Sequence, residues 1–216
     1  MDQLHTLFNF FLHLDIYLVS FVAAHGLWIY FLVFAVIFCE TGLVITPFLP
    51  GDSLLFTLGS MAALSDNPLN ISILLPLLIL ASILGNQTNY MIGRVLGPKV
   101  FSINRPWLIN KKNLGEAHQF YEKHGGKAII LARFMPVVRT FIPFVAGISN
   151  MRFKLFHFYN ITSAVLWIGS LLGMGYFLGS IPLVKENFSI VIYGIIILSI
   201  LPVILSFFYQ RIRKPS

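Results

Sequence analysis

Charged residues are scarce in this chain. Only 11% of its 216 residues are Asp, Glu, Lys or Arg, whereas 57% are hydrophobic. Soluble domains carry roughly a quarter charged residues, so this chain has too few to cover a surface that faces water. The composition excludes an ordinary soluble domain and predicts one polytopic membrane domain over residues 1–216.

Cysteine and the common catalytic motifs are also lacking. The single Cys39 lies in an apolar run, which excludes an intrachain disulfide and a cysteine metal cluster. The six histidines show no metal-ligand spacing, and no serine nucleophile elbow, zinc-binding histidine pair or phosphate loop occurs. Lys99 and Arg105-Pro106 are one residue short of the phosphatidic-acid phosphatase spacing, and no Ser-Gly-His follows. We therefore expect no enzyme, no metal and no cofactor.

The charge that is present is mostly positive, with a formal net charge of +7. Seven basic residues against two acidic ones lie in 94–127, and more basic residues lie in the C-terminal tail. They cluster between hydrophobic segments, which indicates contact with anionic head groups and, by the positive-inside rule, a cytoplasmic position. This pattern does not favour binding to nucleic acid. We predict a basic cytoplasmic loop over 94–127, cytoplasmic N- and C-termini, and an amphipathic helix that ends at His124-Gly125.

Four stretches lack Asp, Glu, Lys and Arg over spanning lengths, and each predicts a transmembrane helix. They are 16–39, 67–93, 155–184 and 187–210. The third is long enough to end early, among glycines that precede Ile181-Pro182. Residues 1–20 are apolar and rich in phenylalanine, which favours an N-terminal interfacial helix.

Two further apolar stretches, 41–60 and 128–150, are broken by proline and glycine. Pro50 and Gly51 interrupt the first, and Pro136 and Pro143 interrupt the second. Irregular backbone at membrane depth persists only where protein or a water-filled cavity surrounds it. We therefore predict two re-entrant hairpins. The loop charges give them opposite orientations, as in the inverted repeat of secondary transporters.

Four charged residues lie in or beside these broken stretches: Glu40, Asp52, Arg133 and Arg139. Each costs about 2.5 to 3.5 kcal/mol at the bilayer centre on insertion scales. One interpretation is that they pair and hold the hairpins closed. Another, compatible with the first, is that the acids exchange protons while the arginines bind an anionic head group bidentately. We expect all four to share one cavity.

Two amides in the second predicted span, Asn86 and Asn89, are secondary polar candidates. Amides in membrane helices more often form hydrogen bonds between helices than bind substrate. Both interpretations stay open for this pair.

Several motifs resemble the DedA family of bacterial inner-membrane proteins, within the SNARE-associated/VTT domain superfamily. The matching runs are Phe38-Cys39-Glu40-Thr41-Gly42, Thr46-Pro47-Phe48-Leu49-Pro50-Gly51-Asp52-Ser53-Leu54-Leu55-Phe56, Asn89-Tyr90-Met91-Ile92-Gly93-Arg94, His118-Gln119-Phe120-Tyr121-Glu122-Lys123-His124-Gly125-Gly126-Lys127 and Ala132-Arg133-Phe134-Met135-Pro136-Val137-Val138-Arg139-Thr140. Together they span nearly the whole chain, and the Pro-Gly-Asp and Arg-Phe-x-Pro-x-x-Arg-Thr elements are specific. The match extends to the DedA proteins proper.

The resemblance implies an inner-membrane transporter that uses the proton-motive force, flips a lipid-carrier phosphate such as undecaprenyl phosphate and supports envelope integrity. The family's important acids and arginines correspond here to Glu40, Asp52, Arg133 and Arg139. Asn86 departs from the pattern, since many relatives have Asp there, and a proton role would then fall to Glu40 and Asp52. The alternatives are a membrane organiser that transports nothing and a small-ion or osmolyte exchanger with protons. Membrane lipids and protons are the expected partners, and a homo-oligomer is left open.

Overall fold

The structure is a computed structural model that describes residues 27–43, 51–63, 69–96, 111–135 and 138–181. Within these ranges nearly every residue is helical and none belongs to a strand. The helices in chain order are α1 (Trp28–Gly42), α2 (Gly51–Ala62), α3 (Ile71–Leu96), α4 (Lys111–His124), α5 (Ala128–Leu131), α6 (Val138–Ile148) and α7 (Phe153–Gly179). Two 3-10 turns, Gly125–Lys127 and Ala132–Phe134, flank α5. The predicted all-helical class is confirmed for the described residues.

Among the described residues, two helices are long and apolar enough to cross a membrane. They are α3 with 26 residues and α7 with 27, against the roughly 20 that a bilayer requires. They correspond to the predicted spans 67–93 and 155–184, and α7 ends at Gly179 in the glycine-rich region. The apolar helices α1 and α6 are shorter. The predicted span 16–39 is described only from Leu27 onward, and the predicted segments 1–20 and 187–210 lie outside the described residues.

The distribution of side chains on α3 is the reverse of that in a soluble protein. Its exposed face carries Leu84, Met91 and Val95, the last with 82% of its surface accessible. The opposite face buries Ser82, Asn86 and Asn89. Apolar groups outside and polar groups inside suit a hydrocarbon solvent, in agreement with the composition.

The chain divides into two compact units. One, here called the α2 unit, contains α2 and the C-terminal part of α7 from Leu171. The other, here called the α3–α6 unit, contains α1 from Tyr30, nearly all of α3, helices α4 to α6 and α7 up to Ser170.

In the α2 unit, glycines let two helices approach closely. A Cβ atom on Gly59 would overlap the carbonyl of Leu172, and one on Gly175 would overlap that of Phe56. The hydroxyl of Ser60 donates a hydrogen bond of 3.0 Å to the carbonyl oxygen of Gly175. This contact between α2 and α7 therefore depends on small residues, as is common between membrane helices.

In the α3–α6 unit, α4 packs against α6. Leu114 and Ala117 of α4 join Phe141, Val145 and other buried residues in one hydrophobic cluster. Helix α4 ends at His124, and Gly125 has a φ of 55°. Glycine adopts this left-handed conformation at little cost, so the predicted end of the amphipathic helix is confirmed.

The stretch 128–150 is broken, as its prolines indicate. After α5 and the 3-10 turn, Met135 is extended with φ −116° and ψ 102°. Residues before proline favour this region, although Pro136 itself lies outside the described residues. Pro143, in contrast, lies inside α6, which continues to Ile148. It supplies no N–H for the carbonyl of Arg139. Asn150 then turns the chain with a φ of 52°.

The other predicted boundaries differ from the helix ends. In 41–60, the first two residues complete α1, and α2 runs from Gly51 past Ser60 to Ala62. Residues 44–50, which include Pro50, lie outside the described residues. In the predicted loop 94–127, Arg94 belongs to the last turn of α3, and α4 is helical. That the two broken stretches are membrane hairpins stays a prediction.

Candidate functional site

An ion pair joins two helices that are about a hundred residues apart in the chain. Glu40 lies in the last turn of α1, and Arg139 is the second residue of α6. Nη2 of Arg139 donates a hydrogen bond to Oε1 of Glu40. The Glu40 side chain is 1% exposed and that of Arg139 is 9% exposed. The structure therefore brings together one predicted acid and one predicted arginine.

Each charge of this pair lies at the unfavourable end of its own helix. The C-terminus of a helix carries partial negative charge and the N-terminus partial positive charge, so an acid is disfavoured near the end of α1 and a cation near the start of α6. The contact places each side chain beside the opposite helix end, where its charge is favoured. Local structure opposes both charges, and tertiary structure stabilises them.

Asn89 on α3 links the segments that carry the pair. Its Nδ2 donates to the carbonyl oxygen of Thr41 at 3.2 Å and to that of Thr140 at 2.7 Å. Thr41 follows Glu40 and Thr140 follows Arg139 in the chain. One turn earlier on α3, Gly85 lies against Thr41 so closely that a Cβ atom would overlap the threonine hydroxyl.

Arg133 lies in the 3-10 turn that follows α5 and is 4% exposed. Its Nη2 donates to Oγ of Ser82 at 2.7 Å, and its Nε donates to Oγ of Ser163 at 3.5 Å. The Ser163 hydroxyl donates in turn to the carbonyl of Asn160 at 2.9 Å. Residues of α3 and α7 thus hold this guanidinium in the interior of the α3–α6 unit.

The two arginines share one aromatic ring. The central carbon of the Arg133 guanidinium is 4.9 Å from the Trp167 ring centroid, and that of Arg139 is 5.3 Å away. Cation–π attraction at such distances is strongest for Trp and increases when the site is dry. Trp167 is 1% exposed, so both cations lie beside one buried ring.

Asn86 forms a hydrogen bond between helices. Its Nδ2 donates to Oδ1 of Asn160 at 2.8 Å, and Nδ2 of Asn160 donates to the carbonyl of Ile83 at 3.0 Å. This contact joins α3 to α7. A role of Asn86 or Asn89 in substrate binding stays a prediction.

The remaining predicted residues are placed as follows. Asp52 lies in the first turn of α2, directly after Gly51 and in the α2 unit, where the helix N-terminus favours a carboxylate. Its predicted meeting with the arginines stays a prediction. Pro50 and Pro136 lie outside the described residues, and Pro143 is inside α6. Among the described residues, no group of three His, Cys, Asp or Glu side chains suits a metal ion.

The sequence reasoning missed Ser82, Ser163 and Trp167, which contact the arginines. A signal existed on α3, because Ser82, Asn86, Asn89 and Gly93 have the spacing i, i+4, i+7 and i+11 and therefore share one helix face. A polar face on a membrane helix indicates a polar interior. The same spacing occurs on α7, where Asn160, Ser163 and Trp167 lie at i, i+3 and i+7 and share one helix face.

The arrangement combines two guanidinium groups, serine hydroxyls and one carboxylate around a tryptophan. Guanidinium groups bind phosphate or carboxylate through two parallel hydrogen bonds. The charges of Glu40, Arg133 and Arg139 sum to +1, so an anion is the ligand that these three side chains favour by charge.

Comparison with known proteins identifies the chain's relatives. The model of the VTT domain matches residues 49–177. Protein DedA of Escherichia coli (strain K12) is 50% identical over 202 residues, covering 94% of this chain and 92% of that protein. An uncharacterized membrane protein of Mycobacterium tuberculosis is 44% identical over 171 residues, 79% and 75% of the two chains. The inner membrane protein YqjA of Escherichia coli (strain K12) is 38% identical over 156 residues, 71% and 69% of the chains. No solved structure matches.

Proposed function

The chain belongs to the VTT-domain family that includes the DedA proteins, and on that premise we propose that it transports an anionic lipid head group across the bacterial inner membrane. The protein crosses this membrane several times and keeps both termini in the cytoplasm. It needs no cofactor and catalyses no covalent chemistry.

The single observation that carries the proposal is the environment of Arg133. A permanently charged guanidinium is costly to bury, yet this one is 4% exposed and lies on a short turn between two helices. Its described neighbours include the hydroxyls of Ser82 and Ser163 and the ring of Trp167. Hydroxyl groups can exchange hydrogen bonds with an arriving phosphate, so this cation is suited to reversible binding.

The proposed substrate is a lipid-carrier phosphate such as undecaprenyl phosphate, whose return across the membrane supports envelope integrity. Arg133 and Arg139 bind the phosphate, and Trp167 keeps the two cations together. Glu40 and Asp52 couple the movement to the proton-motive force. Protonation of Glu40 removes the negative charge that faces Arg139, and this guanidinium then attracts the phosphate more strongly.

The test is transport by purified protein in vesicles that contain a fluorescent undecaprenyl phosphate, with and without an imposed pH gradient. We expect Arg133→Ala to lower the rate by more than about tenfold. Arg133→Lys keeps the charge but loses the planar fork and should also transport poorly. Lys123→Ala removes a positive charge from an exposed position of α4 and should transport normally.

Transport at the normal rate by a correctly folded Arg133→Ala variant would contradict the proposal. Vesicles loaded with sodium, potassium or an osmolyte provide the competing assay. Cation-dependent proton flux without lipid movement would identify a small-ion exchanger instead.

The Glu40–Arg139 ion pair favours a second candidate, a membrane organiser in which the charges are only structural. The variant that exchanges the pair, Glu40→Arg with Arg139→Glu, discriminates between the two. Full recovery of transport in this variant, after the loss of transport in both single variants, would support a structural ion pair. Recovery of folding without transport would support the transporter.

A further inference from the structure

Asn89 is placed to control the geometry of the ion pair without touching either charge. It is fully buried on α3, and its amide nitrogen donates to the carbonyls of Thr41 and Thr140. These two residues directly follow Glu40 and Arg139 in the chain. One amide thus connects the end of α1 to the beginning of α6 where the two charges meet.

The orientation of this amide is fixed by its partners. Both described contacts are with carbonyl oxygens, which accept only, so the nitrogen must face them and Oδ1 must face away. Oδ1 is buried and accepts no hydrogen bond from the part of the chain that the structure describes. An unsatisfied buried acceptor is unfavourable. The two donated hydrogen bonds of Asn89 are therefore accompanied by a cost that an apolar residue would avoid.

The carbonyl of Thr41 needs a hydrogen-bond donor from outside α1. The last carbonyls of a helix have no partner within the helix, and α1 ends at Gly42. Asn89 satisfies the carbonyl of Thr41 and, with the same nitrogen, reaches α6. Gly85 allows this approach, because any larger residue there would overlap Thr41.

We propose that Asn89 is a positioning residue that sets the Glu40–Arg139 contact and thereby the ease with which Glu40 becomes protonated. The inference rests on the proposed function, since it assigns to Asn89 the adjustment of the proton step. Without the two donated hydrogen bonds, α1 and α6 shift relative to each other and Arg139 holds the carboxylate less firmly.

The test measures Glu40 directly. Dicyclohexylcarbodiimide reacts with protonated carboxyl groups in apolar surroundings, and mass spectrometry of the peptides assigns the label to Glu40. At one fixed pH, we expect Asn89→Leu to raise the labelling rate of Glu40 by about fivefold, the change that corresponds to about 1 kcal/mol. Arg139→Ala gives the upper limit. Asn89→Gln retains an amide donor and should restore part of the normal rate.

Asn86→Leu is the matched control. It removes a buried amide three residues earlier on the same helix, but its hydrogen bond is with Asn160 and not with the segments of the ion pair. Its labelling rate should equal that of the unchanged protein. Thermal unfolding in detergent checks that each variant is folded, and Asn89→Ala provides a smaller replacement that also lacks the donors.

An unchanged labelling rate in folded Asn89→Leu or Asn89→Ala would overturn the proposal, as would an equal increase in Asn86→Leu. So would failure of both Asn89 variants to fold while Asn86→Leu folds, because the role of Asn89 would then be in folding. Because labelling does not measure transport, a shift in labelling with no lipid transport would contradict the proposed function and leave the positioning role standing.

Discussion

The two compact units share close glycine contacts but differ in the polar contacts that join their helices. In the α3–α6 unit, directional polar contacts join α1, α3 and α6: the Glu40–Arg139 ion pair and the two hydrogen bonds from Asn89. In the α2 unit, Gly59 and Gly175 bring α2 and α7 into backbone contact, with one hydroxyl bond from Ser60.

The difference separates chemical from steric specificity. A polar contact depends on which atoms donate and accept, so a substitution of equal size can still break it. A contact made by small residues depends on volume, so an additional side chain breaks it whatever its chemistry. We therefore expect sensitivity to both chemistry and size in the α3–α6 unit, where Gly85 and Gly93 also make close contacts, and sensitivity mainly to size in the α2 unit.

The largest effect is expected from breaking the ion pair on one side. Glu40→Ala leaves the Arg139 guanidinium buried without this carboxylate, which should lower the free energy of unfolding by about 3 to 5 kcal/mol. Denaturant unfolding in detergent measures the change. The double variant Glu40→Leu/Arg139→Met should recover most of the loss, because neither charge remains. A loss below about 1 kcal/mol in the single variant, the range of exposed ion pairs, would show that the pair is effectively solvated.

An intermediate effect is expected from adding volume in the α2 unit. Gly175→Leu should lower the free energy of unfolding by about 1 to 3 kcal/mol, since the new side chain would overlap the backbone at Phe56. Gly173→Leu is the control on the same helix, because a Cβ atom there meets no described atom within 4 Å. Equal losses in the two variants would mean that the close contact between α2 and α7 is not what stabilises this unit.

The smallest effect is expected from removing the hydroxyl in the α2 unit. Ser60→Ala loses the hydrogen bond to the carbonyl of Gly175 but keeps the residue small. Side-chain hydrogen bonds between membrane helices contribute about 0.6 kcal/mol on average, and the thermal midpoint in detergent should fall only slightly. A loss as large as that of Gly175→Leu would mean that the α2 unit depends on polar contacts as the α3–α6 unit does, and the two units would no longer differ in this respect.

Much of the candidate site could be predicted from the cost of burying charge. Because charged residues are so few, Glu40, Arg133 and Arg139 stood out in their apolar surroundings, and the structure buries Glu40 and Arg133 and leaves only 9% of the Arg139 side chain exposed. The pairing partners were not predictable, because nothing in the chain between residues 40 and 139 indicates that these two residues meet. Trp167 was missed for a similar reason: aromatic residues are frequent here, with 21 phenylalanines alone.

The proline positions show the limits of local rules. The extended Met135 follows from the proline that comes next. Pro143 also predicted a break, yet α6 continues through it. The loss of one helical hydrogen bond was the local cost, and the packing of Phe141, Ile142, Phe144 and Val145 into the hydrophobic cluster of the α3–α6 unit outweighs it.

The sequence by itself indicated the lipid surroundings, the helical class and the identity of the buried charges. These conclusions follow from composition and segment length, because a bilayer has a fixed hydrophobic thickness and charge within it is costly. Only the tertiary structure decided which charges meet. Glu40 and Arg139 are each disfavoured by the dipole of their own helix, so no local rule predicts their contact. Their stabilisation comes from a helix end that lies far away in the chain, and Asn89 donates hydrogen bonds to both ends.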